Sequence, residues 1–400
     1  MKDKNQPSIT PRPAEQVTAL QGLLLSWYDQ HQRSLPWRKS DKQQLEITPY
    51  HTWLSEIMLQ QTTVKAVIPY YERFIALWPT VQALAAAPQE EVLAAWAGLG
   101  YYARARNLHA CAQQICDIYD GHFPAQEAEL RKLKGVGDYT AAAIAALAFD
   151  QQAAVVDGNI ERVISRFDHI ITPLPQAKKP IKAAVGLYTP KTRCGDFAQA
   201  LMDLGASLCT PKQAHCTLCP LASLCKAHKT LSAQQRLALP LKAKKIKRPQ
   251  RIGFALMLQD QAGQIALVRR PDKGLLARTL ALPSTNWITL DYHLPKSARA
   301  KSLSQAQQQD LIAKLNSQIE NLLNQFDLNS ADYALESQAL KAVDHSFTHF
   351  ELRLYLAKIS LVIANANHLQ QAHSLAFHSQ DKLATLGLSS LMRKAVLALL

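Results

Sequence analysis

Cys209-Thr210-Pro211-Lys212-Gln213-Ala214-His215-Cys216-Thr217-Leu218-Cys219-Pro220-Leu221-Ala222-Ser223-Leu224-Cys225 packs four thiols into seventeen residues. Short loops hold the sulfurs convergent at little entropic cost, so the stretch reads as the ligand set of one metal centre. The other three of the seven cysteines are scattered. An odd total, and a start without the apolar run of a signal peptide, argue against a disulfide framework. Four cysteines suit either zinc or an iron–sulfur cluster. Zinc ribbons usually pair two Cys-x2-Cys knuckles across a longer gap, and only one such pair stands here.

Upstream of this loop the chain is helical in character. Apolar residues recur at three- and four-residue spacing, as in Trp53, Leu54, Ile57 and Met58, and Pro or Gly breaks punctuate the Ala- and Leu-rich runs. Downstream, Lys226 to Arg251 carries nine basic residues and no acidic one, and reads as a linker. Beyond it, Ile252–Leu258 and Gln264–Arg269 flank a Gly-containing turn as a β-hairpin. Phe350–Ile363 alternates as a strand with one wet face, Ser302–Phe326 has helical periodicity, and Ser389–Leu400 reads as a last helix. The expected organisation is a disordered tail over 1–16, an all-α domain over 17–228, a basic linker over 229–250, and an α+β domain over 251–400. A net charge of +14 and a pI near 9.4 point to a polyanion as partner, nucleic acid ahead of an acidic membrane surface. No segment is long and apolar enough to cross a membrane, and a cytoplasmic, nucleoid-associated protein is expected.

Two further motifs carry chemistry. In Leu133-Lys134-Gly135-Val136-Gly137-Asp138-Tyr139-Thr140-Ala141, a Gly-x-Gly turn opens an Ala-rich helix, so backbone N–H groups can approach a phosphate. Asp157 follows eighteen residues beyond Tyr139, where it also reads as an N-cap ahead of Ile160–Phe167. Glu56 sits in the apolar helical run Trp53-Leu54-Ser55-Glu56-Ile57-Met58-Leu59-Gln60-Gln61-Thr62. A carboxylate so placed is ordinarily a solvent-facing residue between core positions.

Context changes that reading. Leu35-Pro36-Trp37-Arg38, the Glu56 segment, Gly98-Leu99-Gly100-Tyr101-Tyr102-x-Arg104-x-Arg106, the Gly-x-Gly hairpin and the cysteine loop follow one another in that order. The ordered set resembles the MutY-type adenine DNA glycosylases of the endonuclease III, helix-hairpin-helix superfamily. The resemblance implies an all-α helix-hairpin-helix glycosylase domain whose Cys209, Cys216, Cys219 and Cys225 ligate a [4Fe–4S] cluster. It implies Glu56 as general acid and base, Asp157 as the carboxylate near the sugar, and Tyr139 as a neighbour of the reacting nucleotide. Arg33, Trp37 and Arg38 would line the adenine pocket, and Gly135 and Gly137 would meet phosphate. Gln61, Leu99 and Tyr101 would fill or wedge the duplex beside 8-oxoguanine. The chemistry suits these residue types: breaking an N-glycosidic bond needs a proton on the leaving base and a charge facing an oxocarbenium-like sugar. The base must first leave the stack. Bifunctional relatives carry a lysine where this chain has Tyr139, so a monofunctional enzyme is expected.

The second half resembles, more faintly, the family's Nudix-like α+β domain, whose Phe-Ser-His loop senses 8-oxoguanine. Here the loop reads Phe347-Thr348-His349, which keeps the hydroxyl and adds a methyl. No Nudix catalytic helix is present, so recognition rather than hydrolysis is implied. Lys134 stands where the family usually has proline, and Leu280-Ala281-Leu282-Pro283 lacks the usual aromatic and acidic residues. The implied partner is duplex DNA bearing adenine opposite 8-oxoguanine or guanine, bound by a monomer. An endonuclease III-like enzyme for oxidised pyrimidines and a non-catalytic DNA-binding protein are the rival readings; Tyr139 speaks against the first, Glu56 and Asp157 against the second.

Overall fold

Apolar periodicity in the first half closes into helices: α1 (Ala14–His31), α2 (Pro49–Leu59), α3 (Val64–Leu77), α4 (Val81–Ala86), α5 (Gln89–Trp96), α6 (Ala103–Tyr119), α7 (Glu127–Leu130), α8 (Asp138–Phe149), α9 (Gly158–Phe167), α10 (Lys178–Tyr188), α11 (Cys194–Ser207), α12 (Lys226–Thr230) and α13 (Ala233–Ala238). The computed structural model describes residues 12–38, 47–243, 247–295, 303–328, 333–335, 341–361, 375–384, 386 and 388–400. It divides into two compact units, Met1–Ala87 with Asn107–Lys245, and Pro88–Arg106 with Ile246–Leu400.

Helix α8 lies at the heart of the first unit, with every residue from Thr140 to Ala146 buried. Its alanines let α2 and α11 pack directly against it, and α11 also lies on α9 and α1. The approach is close: a Cβ on Gly205 of α11 would fall 2.7 Å from the Cβ of Asn159 on α9, so only glycine fits. Helix α9 buries Ile160, Val163, Ile164 and Phe167 on one stripe, together with Arg162 and Arg166.

Order begins earlier than the composition of the start suggests. Arg12 is buried, pairs with Asp168 at 2.8 Å, and donates to the carbonyls of Phe167 at 2.8 Å and Leu224 at 3.0 Å. Of the tail expected over 1–16, residues 1–11 lie outside the described residues. The opening of the basic segment is likewise folded. Ser232 and Gln235 form a capping box on α13, Leu239 is buried, and Arg166 Nε donates to the Leu239 carbonyl at 3.2 Å. Charge counts alone hid that capping signal.

The second unit is built on strands β1 (Gln250–Gln259), β2 (Ile265–Arg269), β3 (Leu280–Ala281), β4 (Ile288–Leu290), β5 (Tyr333–Leu335), β6 (Lys341–Ser346), β7 (Glu351–Leu361) and β8 (Leu375–His378), with helices α14 (Gln305–Gln325) and α15 (Ser390–Leu399). The order β3-β2-β1-β7-β5 forms the spine of one mixed sheet, in which β1 and β7 run parallel from Gln250↔Glu351 to Gln259↔Ser360. One face, with Ala255, Met257, Leu352, Leu354 and Leu356, packs on Leu391, Met392, Ala395 and Val396 of α15. The other, with Phe254, Leu256, Leu258 and Ile359, packs on Leu322 of α14 and on Phe326. The face of β7 read as wet is therefore partly covered, and Tyr355 packs there. No described helix is long and apolar enough to cross a membrane.

Residues 88–106 group with the second unit through contacts distant in sequence. Tyr102 Oη donates to the Leu388 carbonyl at 3.1 Å, Arg106 Nη1 to the Ala277 carbonyl at 2.8 Å, and Arg278 Nη1 to Gln89 Oε1 at 3.0 Å.

Candidate active site

Glu56 owes its place to α2. Thr48 and His51 cap that helix, Pro49 opens it, and every residue from Tyr50 to Met58 is buried, Glu56 included at 5% exposure. The side-chain hydrogen bond seen for it among the described residues comes from Tyr139 in the first turn of α8, whose phenol donates to Glu56 Oε2 at 2.8 Å. Burial pushes the Glu56 carboxyl up to about 7. The Tyr139 hydrogen bond and the Arg38 charge pull the other way, and the charge of Asp157 adds to the rise. Burial, then Glu56 and Asp157, hold the Tyr139 phenol well above its ordinary value. Asp157 caps α9, accepting from Ile160 N at 2.7 Å through Oδ1 and from Asn159 Nδ2 at 2.8 Å through Oδ2. Two carboxylates and a phenol thus meet at one place.

Beside Glu56 opens a cavity with about 440 Å³ of space free of protein atoms. Arg33, Trp37 and Arg38 line it, with Thr52, Ser55 and Gln199 among the polar neighbours. The two arginines are not loose: Arg38 holds Asp203 through Nη1 at 2.7 Å and Nη2 at 2.9 Å, and Arg33 Nε donates to the same carboxylate at 2.6 Å. Nothing in the local sequence marked Asp203.

Gln61 and Tyr101 share an unusual backbone. Both are left-handed, with φ of 57° and 51°, and both are exposed. Such strain costs about 1 kcal/mol or more and tends to collect at functional turns. The Tyr101 turn is braced by Trp96 Nε1, which donates to the Gly100 carbonyl at 3.0 Å, and by the Arg104 guanidinium over the Trp96 and Tyr101 rings. Leu99 is buried inside this turn, not presented to solvent. Within the same unit, Tyr101 Oη lies 3.5 Å from Thr348 Oγ1. Phe347-Thr348-His349 forms the turn between β6 and β7: Phe347 stacks on Trp287 with centroids 5.3 Å apart, while Thr348 and His349 are exposed. In the hairpin before α8, Gly135 has φ of 74° and would meet Asn107 Cβ at 2.7 Å if it carried a Cβ; Gly137 is the N-cap. Lys134 is exposed beside them.

Cys209, Cys216, Cys219 and Cys225 carry free thiols and line one cavity with about 370 Å³ of space free of protein atoms. Burial pushes the Cys219 thiol up to about 12. Arg166 Nη1 donates to Cys209 Sγ at 3.3 Å. Three buried nitrogens on residues lining the cavity, Arg166 Nη2, Arg236 Nε and His228 Nδ1, have no partner among the described residues. Thiols plus unspent N–H donors suit a group rich in anionic sulfur. Among the described residues, no three His, Cys, Asp or Glu side chains form a site for a single metal ion. A polar chain runs from this loop to Asp157: Arg162 Nε donates to the Cys209 carbonyl at 2.7 Å and Nη2 to Asn159 Oδ1 at 2.8 Å, and Asn159 donates to Asp157. Sequence reasoning missed Asn159 and Arg162; an arginine on the apolar stripe of α9 was the available signal.

Residues 54–189 match the HhH-GPD superfamily of base excision DNA repair proteins, and residues 254–398 match the NUDIX domain family. An adenine DNA glycosylase of Homo sapiens is 39% identical over 324 residues, 69% of this chain and 59% of that protein. One of Arabidopsis thaliana is 34% identical over 411 residues, 93% of this chain and 62% of that protein. One of Buchnera aphidicola subsp. Acyrthosiphon pisum is 38% identical over 242 residues, 60% of this chain and 67% of that protein. The chain spans about three fifths of the length of the human and plant relatives. The helical match contains Glu56, Tyr139 and Asp157, the NUDIX match follows it in order, and this chain belongs to the MutY-type adenine DNA glycosylase family.

Proposed function

We propose that the protein is a base excision repair enzyme that hydrolyses the N-glycosidic bond of adenine mispaired with 8-oxoguanine or guanine in duplex DNA. The observation that carries this reading is a buried Glu56 with its carboxyl near 7, hydrogen-bonded to Tyr139 and lining a cavity with Arg33, Trp37 and Arg38. An acid of that strength is protonated in a large fraction of molecules at neutral pH and can donate to a ring nitrogen of the departing adenine. Asp157, fixed by two hydrogen bonds, presents its carboxylate to the positive charge that develops on the sugar. After the base leaves, Glu56 as carboxylate accepts a proton from the attacking water. Gln61, exposed on a strained turn of the first unit, supplies a side chain to fill the stack that the flipped base vacates. The four cysteines would hold a [4Fe–4S] cluster, which would cross-link the loop when bound; Arg166, Arg236 and His228 line the same cavity. Incubation with duplexes bearing adenine opposite 8-oxoguanine, guanine or thymine, followed by alkali, tests the whole. Abasic sites are expected with the first two duplexes; their absence from every duplex overturns the proposal.

Tyr139 also sets the chemistry that follows. A phenol cannot form a Schiff base with the sugar, so borohydride is expected to trap little enzyme on DNA, and strands should break only after alkali. Efficient trapping would mean that another amine attacks the sugar.

Lesion reading is shared between two turns of the second unit. Adenine is a normal base, so selectivity must come from the opposite strand, and Tyr101 and Thr348 stand within reach of each other to meet one base. Replacing Thr348 and His349 together with alanine should lower the preference for 8-oxoguanine over guanine by about 1–3 kcal/mol, the scale of lost base-edge hydrogen bonds. Single-turnover rates on the two duplexes measure it, and an unchanged ratio would move the sensing elsewhere.

A further inference from the structure

Asp203 is an acid with no place in the chemistry described so far. It lies on α11 behind the base cavity, and its side chain is 1% exposed. A carboxylate so deeply buried is costly unless its charge is met. Here it is met more than once: Arg38 engages both of its oxygens, and Arg33 adds Nε at 2.6 Å and its backbone N–H at 3.1 Å. Both terminal nitrogens of Arg38 are thereby spent on Asp203. Arg38 is only 6% exposed itself, and its charge is felt at Glu56, where it favours the ionised carboxylate.

We propose that Asp203 is a positioning residue of the base cavity: it holds Arg33 and Arg38 as a fixed pair beside Glu56 and offsets the charge that Arg38 alone would bring there. The proposal rests on Glu56 being the general acid. The groups that face Glu56 are Tyr139 from α8, Asp157 from the start of α9, and Arg38. Those that face Asp203 are Arg33, Arg38 and, from α1, Tyr28, whose phenol donates to Gln199 on the cavity wall at 2.6 Å. Among the described residues Arg38 is thus the group that acts on both acids, bonded to Asp203 and lining the same cavity as Glu56, and Asp203 sets how much of its charge remains for Glu56. Neutralising Asp203 leaves a buried guanidinium unbalanced, so Glu56 gives up its proton at lower pH.

The test uses the full chain with three measurements: the single-turnover excision rate from pH 5 to 9, the titration of the Glu56 carboxyl by carbon NMR, and the melting temperature. With Asp203→Asn, excision at neutral pH should fall about 100-fold, the scale of a misplaced cavity wall. The alkaline limb of the profile and the Glu56 titration should both move to lower pH. A folded Asp203→Asn protein with the wild-type limb and titration overturns the proposal. Should that variant not fold, Asp203→Glu decides. It keeps the charge and shifts the oxygens, so the limb should hold while the rate falls about tenfold; a wild-type rate, or a shifted limb, overturns the assignment. If the wild-type chain excises no adenine, the functional reading fails. The NMR titration still reports whether Asp203 governs Glu56.

Discussion

Glu56→Gln is expected to bind the mispaired duplex nearly as the wild type does and to excise adenine at least about 100-fold more slowly, the usual contribution of a general acid. The side chain keeps its volume, and the amide can still accept from Tyr139, so what is lost is the proton. In the wild type the rate should be full below pH 7 and fall about tenfold per unit above it, because the carboxyl near 7 must be protonated to donate. The same shift has a stability consequence, and its sign can be worked out. The ordinary value is 4.5, so between 4.5 and 7 the folded chain holds a proton that the unfolded chain has released. Stability therefore falls as pH rises through that window, by a total on the order of 3 kcal/mol. The glutamine variant escapes that loss and should melt higher than the wild type at pH 8. Calorimetry and single-turnover kinetics on one preparation check both halves; near-normal excision would remove Glu56 from the mechanism.

Cys219→Ser should have the largest effect on stability. Its half-buried thiol lines the cysteine cavity, and a hydroxyl is a poor ligand for iron. Wild-type protein should absorb broadly near ~400 nm and carry about four irons per chain, whereas the variant should lose most of both. The loop from Cys209 to Cys225 would lose its cross-links, at a cost comparable to removing a native disulfide, about 2–5 kcal/mol. The loss should spread to Asp157, because Arg162 and Asn159 tie the Cys209 carbonyl to that carboxylate. Stoichiometric zinc in colourless wild-type protein would overturn the cluster assignment.

What was legible in the sequence was whatever has a local signature. The Gly-x-Gly hairpin needs a left-handed Gly135, the Asp157 cap sits a fixed distance ahead of Ile160, and β7 alternates residue by residue. The site's supporting contacts have no such signature. Asp203 meets arginines 165 and 170 positions away, and Arg162 meets a carbonyl 47 positions away. Neither periodicity nor spacing reports a partner at that distance. Charge counting misled at the basic segment, where the capping box of α13 and a buried Leu239 tie Lys226 onward to the helical unit. At the start of the chain it was the polar, Pro-rich composition that hid order, since Arg12 is buried and paired with Asp168.

The turn that carries Tyr101 depends on a residue 286 positions later in the chain, since Tyr102 is anchored on the Leu388 carbonyl. On a ribosome that interval amounts to tens of seconds of synthesis. During it, α8 and the glutamate helix can already have packed, while the Tyr101 turn waits for that support. A chain cut short before Leu388 would thus carry Glu56 and Tyr139 but not the finished brace of the Tyr101 turn. If the Tyr101 turn reads the opposite base as proposed, its support is made well after the helix that bears Glu56, so the two parts of the proposed site mature at different times.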